Sequence, residues 1–206
     1  MQGMTWKSGA MAGLAILVAL VSYRFLALGL APSFQGMDEH IALRRGAFLA
    51  HVSAAPIALI LGAVAFAWPR MPVRHPALHR WSGRAYGLAI LIGGVAGLIM
   101  AIGAWERPVA ALGFGLLAVL WLGFTAQAVR LAMQRKIALH RRWMIRSFAL
   151  TFAAVTLRLE LPVLFVLGMD YAEASNIVAW LCWVPNLAVA ERLIRRRQEG
   201  RMPAAA

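Results

Sequence analysis

The sequence has few cysteines, and this shortage excludes several kinds of site. Cys182 is the one cysteine among 206 residues. A disulfide within the chain, a CxxCH haem attachment and a cysteine-ligated iron–sulfur cluster are therefore excluded. We interpret Cys182 as a small packed residue in a helix. The HExxH, GxSxG, phosphate-loop and dinucleotide motifs are also absent, so the sequence does not support the chemistry of soluble enzymes.

Charged residues are scarce as well, whereas apolar residues are abundant. Only 14% of the residues are charged and 62% are hydrophobic, and the mean hydropathy is +0.70. A soluble domain is about half apolar and about a quarter charged. One globular core cannot absorb this excess, so lipid must be the solvent for much of the surface. We expect a single membrane domain over residues 1–206.

Six apolar segments have about the 20 residues that a helix needs to cross the hydrocarbon layer. We therefore predict an all-α bundle of six transmembrane helices. Their approximate bounds are 8–31, 46–68, 83–105, 108–133, 147–169 and 174–190, and a basic cytoplasmic tail over 191–206 follows. We expect the first segment to be retained as a helix, because it is long for a signal peptide.

The loops between the segments differ in charge and predict the orientation. Alternate loops and the two terminal segments together hold most of the 21 Lys and Arg residues, whereas the other loops hold most of the 8 acidic residues. The positive-inside rule then predicts that both termini are cytoplasmic, N-in and C-in. Topology also explains the formal net charge of +13, so nucleic acid is not expected as a partner.

Four ionisable residues lie within the apolar segments, where a charge is costly and therefore points to function. These candidate catalytic residues are Arg24, His51, Arg158 and Glu160, all in the outer half of the membrane by helical rise. Arg158 and Glu160 are two positions apart, so they point to different faces. We expect Glu160 to pair with Arg24 or His51. Two interpretations stay open: a proton relay or small polar pocket, and an ion-paired network that fixes helix packing.

A second cluster of histidine and arginine lies at the cytoplasmic ends of the third and fifth segments. It comprises His79, Arg80, Arg84, His140, Arg141, Arg142 and Arg146, with Trp81 and Trp143 beside them. Arginine and tryptophan at this depth are typical of topology and interface anchoring, and a basic groove fits anionic lipid head groups. Alternatively, His79 and His140 are the axial ligands of b-type haem iron. The arginines that would then neutralise its propionates are Arg80, Arg84, Arg141 and Arg146.

Three stretches together resemble the family of bacterial membrane proteins built on domain of unknown function 2306. They are residues 48–51 (FLAH), 79–86 (HRWSGRAY) and 140–147 (HRRWMIRS), the last running on to 156–158 (TLR). The likeness covers residues 41–158. Its motif positions here are His51, His79, Arg84, His140, Arg146 and Arg158. The resemblance implies a multi-pass protein of the bacterial inner membrane, and it implies no established activity.

A looser resemblance is to the cytochrome b561-like electron carriers, which are six-helix proteins that hold two haems between paired histidines. His79 and His140 would match one such pair, but no histidine of the fourth segment matches His51. The resemblance therefore implies at most one haem of that type, or a haem with a different second ligand.

The leading hypothesis is a membrane redox protein that carries haem b and exchanges electrons with a quinone, while His51 and Glu160 handle protons. One alternative is a binding or transport protein for an anionic lipid or a small solute. Another is a structural subunit of a larger membrane complex. Enzymatic activity and oligomeric state are left open.

Overall fold

The computed structural model describes residues 6–199, which are helical over most of their length and include no strand. The helices are α1 (Trp6–Ser22), α2 (Phe25–Leu28), α3 (Leu30–Ser33), α4 (Asp38–Leu43), α5 (Arg45–Ala67), α6 (Met71–Arg74), α7 (Pro76–Gly103), α8 (Pro108–Met133), α9 (Ile137–Thr151), α10 (Ala153–Val166), α11 (Tyr171–Leu181) and α12 (Val184–Glu199). The prediction of an all-α protein is confirmed.

Within this described part, six helical runs are long and apolar enough to cross a membrane. They are Ser8–Leu28, Arg45–Ala67, Pro76–Gly103, Pro108–Met133, Ile137–Val166 and Tyr171–Gln198. We call them the first to the sixth span. Because hydrocarbon offers no partner to backbone N–H and C=O groups, a chain in lipid must bond them internally, as a helix does. The predicted number of transmembrane helices is confirmed.

Several helices extend beyond the apolar segments read from the sequence. The third span begins at Pro76 rather than near residue 83, and the fifth begins at Ile137 rather than near residue 147. The added turns are basic and aromatic, so they lower the hydropathy signal although they continue the helical hydrogen bonds. Proline is tolerated in the first turn of a helix, where its missing N–H has no partner in any case.

The C-terminal segment is also helical for longer than the apolar pattern indicates. Helix α12 continues to Glu199, so most of the predicted tail over 191–206 belongs to a helix. Residues 200–206, which include Arg201, lie outside the described residues.

The six spans pack as neighbours around the third and fourth spans. Helix α7 packs between α5 and α8, α1 packs on α5, and α9 and α11 pack on α8. The central cluster of buried side chains includes Tyr86, Trp121 and Trp183. Large apolar side chains such as those of Leu26 and Val166 remain exposed on the outside. This is the surface expected of a bundle that lipid surrounds.

The bundle has two distinct ends. At one end, the centre of the Trp68 ring, just after α5, lies 5.1 Å from the centre of the His75 ring. At the same end, His140 of α9 contacts the last turns of α8. We call it the basic end. At the opposite end, Arg44 hydrogen-bonds the Gly103 carbonyl and so joins the start of α5 to the end of α7. Which end faces the cytoplasm stays a prediction from the charge of the loops.

Candidate functional site

The most deeply buried polar side chains of the bundle carry hydroxyl groups. Within residues 6–199 they are Ser22, Ser33, Thr125, Ser147, Thr151 and Ser175. Three of them meet two buried aromatic residues of the central cluster. We call this group the hydroxyl network: Tyr86, Trp121, Thr125, Ser147 and Thr151.

The hydroxyl network joins α7, α8 and α9 through short hydrogen bonds. The Tyr86 hydroxyl oxygen lies 2.9 Å from those of both Ser147 and Thr151. The hydroxyl oxygens of Ser147 and Thr125 are 2.7 Å apart, and Trp121 Nε1 donates to Thr151 over 2.8 Å. Thr125 donates to the Trp121 carbonyl over 2.7 Å, and Thr151 to the Ser147 carbonyl over 3.0 Å. Three helices are thus tied together by polar contacts inside an apolar core.

This network has more contacts than hydroxyl hydrogens. Its four hydroxyl groups bring one hydrogen each, whereas five O···O contacts join them to one another or to carbonyl oxygens. One contact therefore always lacks a hydrogen. Rotation of the hydroxyl groups can change which contact lacks a hydrogen, while the packing of the side chains stays the same. Such a set of hydroxyls can pass a hydrogen from one neighbour to the next.

Two histidines lie on the same helices towards the basic end. His79 precedes Tyr86 on α7 by two helical turns, and His140 precedes Ser147 on α9 by the same distance, so each histidine shares a helix face with its network residue. The two imidazoles, both partly buried, are close enough to interact electrostatically. The structure therefore brings together the two residues that the sequence nominates as haem ligands.

The orientation of His140 leaves one of its ring nitrogens available. Its Nδ1 lies 2.8 Å from the Ala128 carbonyl oxygen. A carbonyl oxygen only accepts, so Nδ1 carries the hydrogen and Nε2 is left for another partner. A backbone carbonyl on the far nitrogen is also the arrangement that orients histidines which bind metals.

Arg146, a predicted partner for haem propionates, is held by a residue of the sixth span. Its Nε lies 2.5 Å from Glu191 Oε1, and its Nη2 lies 2.9 Å from Oε2. The guanidinium carbon also lies 4.8 Å from the centre of the Trp143 ring. A bidentate pair of this kind fixes both side chains, so Arg146 joins α9 to α12 and its charge is already compensated.

The other arginines of the basic end are nearer to solvent or lipid head groups. Arg84 stacks over the Trp81 ring at 4.8 Å, and Trp81 is 67% exposed. Arg80 and Arg141 are exposed, and Arg142 is partly buried. Stacked tryptophan and arginine at the end of a span are typical of interface anchoring.

On the other side of the hydroxyl network, His51 of α5 contacts the backbone of α7. Its Nδ1 lies 2.8 Å from the Gly93 carbonyl oxygen, two turns beyond Tyr86. A Cβ at Gly97 would lie 3.1 Å from His51 Nδ1, and one at Gly93 would lie 3.4 Å from the Ala55 nitrogen. Gly97 therefore makes room for the imidazole, and Gly93 lets α7 approach the backbone of α5 closely.

Arg158, a residue of the fifth span, lies near His51 of the second span. It follows Thr151 by two turns, and its Nη1 donates to the Ala154 carbonyl over 2.9 Å. The guanidinium therefore reaches back towards the hydroxyl network, as helical side chains lean towards the N-terminus. It is close enough to His51 and Arg24 to interact electrostatically with both. We call the series from His79 and His140 through the hydroxyl network to His51 and Arg158 the polar column.

Glu160 lies on a different side of the fifth span. Its Oε2 is buried and has no hydrogen-bond partner among the described residues. Its carboxylate is close enough to Cys182 of the sixth span to interact electrostatically. One turn before Glu160 on the fifth span, the Thr156 hydroxyl accepts a hydrogen bond from Asn186 of the sixth span over 2.7 Å. Glu160 therefore faces α11 and α12, away from His51.

The predicted pairing of Glu160 with Arg24 or His51 is wrong. The ion pairs within residues 6–199 are Arg44–Glu39, Arg107–Glu39 and Arg146–Glu191. The reason is geometric, because Arg158 occupies the side of the fifth span that faces His51 while Glu160 points to the sixth span. The expectation that Arg158 and Glu160 point to different faces is consistent with these contacts.

Arg24 lies where the first span is interrupted, between α1 and α2. It is exposed, it donates to the Ser33 carbonyl, and its guanidinium carbon lies 5.6 Å from the centre of the Phe34 ring. Arg24 thus anchors α3 against the end of the first span, and its electrostatic contact with Arg158 is repulsive.

Charged groups also cluster around α4 at the opposite end. Arg44 Nη1 lies 2.9 Å from Glu39 Oε1, and Arg107 Nη2 lies 3.7 Å from Glu39 Oε2. The hydrogen bond from Arg44 lowers the pKa of the Glu39 carboxyl. Burial lowers the pKa of the neighbouring His40, whose Nδ1 has no partner among the described residues. We call Glu39, Arg44 and Arg107 the Glu39 cluster.

Sequence reasoning missed the hydroxyl network and the role of Glu191. A signal for the network exists, since Tyr86 and Ser147 each follow a nominated histidine by two helical turns. The signal for Glu191 is weaker: it is an acidic residue at the start of an arginine-rich segment.

Comparison with known proteins agrees with this architecture. A family model described as predicted membrane protein (DUF2306) matches residues 48–194, which is more than half of the chain and includes every residue of the polar column. No curated protein and no solved structure matches the chain. The match and the six apolar spans together show a multi-pass membrane protein. The chain therefore belongs to the DUF2306 family of predicted membrane proteins.

Proposed function

We propose that this protein transfers protons across the membrane along the polar column. The observation that carries the proposal is the hydroxyl network, whose hydrogen-bonded hydroxyls lie between histidines on both sides. Imidazole is the side chain that changes its charge near physiological pH. Histidine on each side of the network can therefore take up a proton and release it.

The polar column reduces the cost of bringing a proton into an apolar bundle. An isolated charge in hydrocarbon is expensive, and proton pathways through membrane proteins therefore use chains of polar and titratable groups. The steps from the network to His79 and from the network to His51 each follow two turns of α7, roughly 10 Å of helical rise. Side chains that reach along the helix, together with bound water, can shorten such steps to hydrogen-bond distances.

Arg158 has a separate role in this proposal. Its fixed positive charge beside His51 disfavours a second positive charge on the imidazole. A proton that reaches His51 is therefore released readily, and the column does not trap it. With the basic end cytoplasmic, as the loop charges predict, His79 and His140 exchange protons with the cytoplasm and His51 with the other side.

Proton flux into vesicles tests the proposal. The purified protein is reconstituted into liposomes that contain a pH-sensitive dye, a pH step is applied, and valinomycin with potassium clamps the voltage. We expect faster proton entry than in protein-free liposomes, and a loss of this excess flux in Ser147→Ala. Ser175→Ala is the matched control, because Ser175 is a buried serine that donates to the Ala172 carbonyl and lies outside the hydroxyl network. Flux equal to that of protein-free liposomes would reject the proposal.

A second candidate function, electron transfer by haem b, is favoured by the proximity of His79 and His140. The free Nε2 of His140 fits an axial ligand, and exchange with a quinol belongs to this candidate. The fit of the arginines is partial: Arg146 is paired with Glu191 and Arg84 is stacked on Trp81. Arg80 and Arg141 remain as exposed partners for propionates.

An absorption spectrum of protein expressed with a haem precursor tests this second candidate. Haem binding predicts a Soret band, and a sharp α-band after reduction with dithionite, both lost in His79→Ala and in His140→Ala. A colourless, folded protein would reject haem binding and leave the proton proposal unaffected.

A further inference from the structure

A groove runs between the first and second spans and opens at the basic end. It has a volume of about 450 Å³, and its walls are Ala12 and Ile16 of α1, and Val64 and Ala67 of α5, followed by Trp68 and Pro69. This volume lies in the range of small-molecule sites, about 300–1,000 Å³. The walls are apolar, so the groove fits a hydrocarbon chain.

The mouth of the groove is strongly basic. Arg70 and Arg74 complete its lining. Arg70 comes just before the short helix α6 (Met71–Arg74), and Arg74 is the last residue of that helix. Neither arginine belongs to an ion pair in the part of the chain that the structure describes. Guanidinium groups bind phosphate through paired N–H donors, so two uncompensated arginines at this point are suited to an anionic phosphodiester.

The position of the groove along the membrane normal agrees with this chemistry. Trp68, which is 37% exposed, marks the boundary between the apolar walls and the arginines, and tryptophan prefers the level of the lipid head groups. The apolar walls thus face the hydrocarbon layer and the arginines face the head groups.

We infer that the groove binds one anionic phospholipid, whose phosphate lies against Arg70 and Arg74 and whose acyl chain lies between α1 and α5. The lipid would brace the first span against the second. The inference is independent of proton transfer, since no residue of the polar column lines the groove.

Native mass spectrometry with titrated lipid tests the inference on the full-length protein in detergent. Phosphatidylglycerol should bind with an apparent affinity roughly tenfold or more higher than that of phosphatidylcholine, because the arginines bond to its anionic head group without competition from choline. Arg70→Gln/Arg74→Gln should abolish this preference. Arg130→Gln/Arg196→Gln, which removes two exposed basic charges outside the groove, should retain it.

A third variant separates the lipid from a free anion. Ala67→Phe narrows the groove and leaves both arginines in place. It should therefore weaken the binding of phosphatidylglycerol as strongly as the arginine variant does. Equal lipid preference in all the variants would overturn the inference. Competition by inorganic phosphate at equal affinity, with no effect of Ala67→Phe, would overturn it in favour of a simple anion site.

Discussion

Two arginines of the fifth span, Arg146 and Arg158, are treated in opposite ways by the rest of the molecule. Arg146 has a bidentate carboxylate partner in Glu191 and an aromatic ring beneath it. Arg158 has one backbone carbonyl, a histidine and a second arginine around it. Among the residues that the structure describes, Arg146 is thus compensated and Arg158 is not, although both match the same family pattern.

The difference separates structural charges from charges that act on neighbours. A compensated pair near the end of a span fixes the contact between two helices, and removing one partner leaves the other charge exposed to an apolar environment. An uncompensated guanidinium in the middle of a bundle contributes less to packing, and its field acts on the nearest titratable group. We therefore expect Arg146 to determine stability and Arg158 to determine proton flux.

Among the predictions that separate the two arginines, the largest expected effect is on flux in Arg158→Gln. We expect the proton flux of proteoliposomes to fall about tenfold or more, which corresponds to a change of about 1.4 kcal/mol or more in the barrier, because release from His51 becomes slower. Arg146→Gln should retain the flux per folded molecule. If both variants lose flux equally, the two arginines do not have separate roles.

Arg146→Gln should instead destabilise the protein by about 1–2 kcal/mol, less than for a fully buried pair because both side chains are partly exposed. The double variant Arg146→Gln/Glu191→Gln should recover part of the loss, since neither charge is then left alone. Thermal unfolding in detergent measures both effects. Additive losses in the double variant would show that the pair is not coupled.

Glu160→Met should leave the unfolding midpoint unchanged or raise it slightly. The buried carboxylate oxygen of Glu160 has no partner in the described part of the chain, so its replacement by an apolar side chain removes a desolvation cost. A fall in the midpoint as large as that of Arg146→Gln would reveal a partner for Glu160.

The smallest effect concerns pH and the Glu39 cluster. Because Arg44 lowers the pKa of Glu39 in the folded protein, the stabilising contribution of this carboxylate is fully present above its unfolded pKa of about 4.3. It should be lost as the pH falls through the lowered pKa. The difference in unfolding midpoint between wild type and Glu39→Gln should therefore be constant from pH 7 to pH 5 and shrink below that. A constant difference down to pH 3 would contradict this account.

The sequence predicts the spans far better than it predicts the polar contacts between them. Apolar length is a property of one segment at a time, so six spans follow from hydropathy alone. The ends of α7 and α9 are harder to place, because their first turns carry arginine and tryptophan and look like loops in a hydropathy pattern.

The polar contacts depend on which faces of different helices meet. The proximity of His79 and His140 could be predicted because the ends of alternate spans lie at the same side of the membrane. The partner of Glu160 could not, because two positions along a helix determine a difference in direction but not which neighbouring helix lies there. The same limit hid the hydroxyl network, whose members come from three helices and are individually ordinary for transmembrane segments.

The most direct test of the polar column is the proton flux of Tyr86→Phe compared with that of Tyr171→Phe in the same liposomes. Both variants remove one hydroxyl from a tyrosine, but only Tyr86 belongs to the hydroxyl network, whereas Tyr171 begins α11 at the opposite end. We expect flux to fall to the protein-free level in Tyr86→Phe and to stay at the wild-type level in Tyr171→Phe, with both proteins folded. Wild-type flux in folded Tyr86→Phe would contradict it.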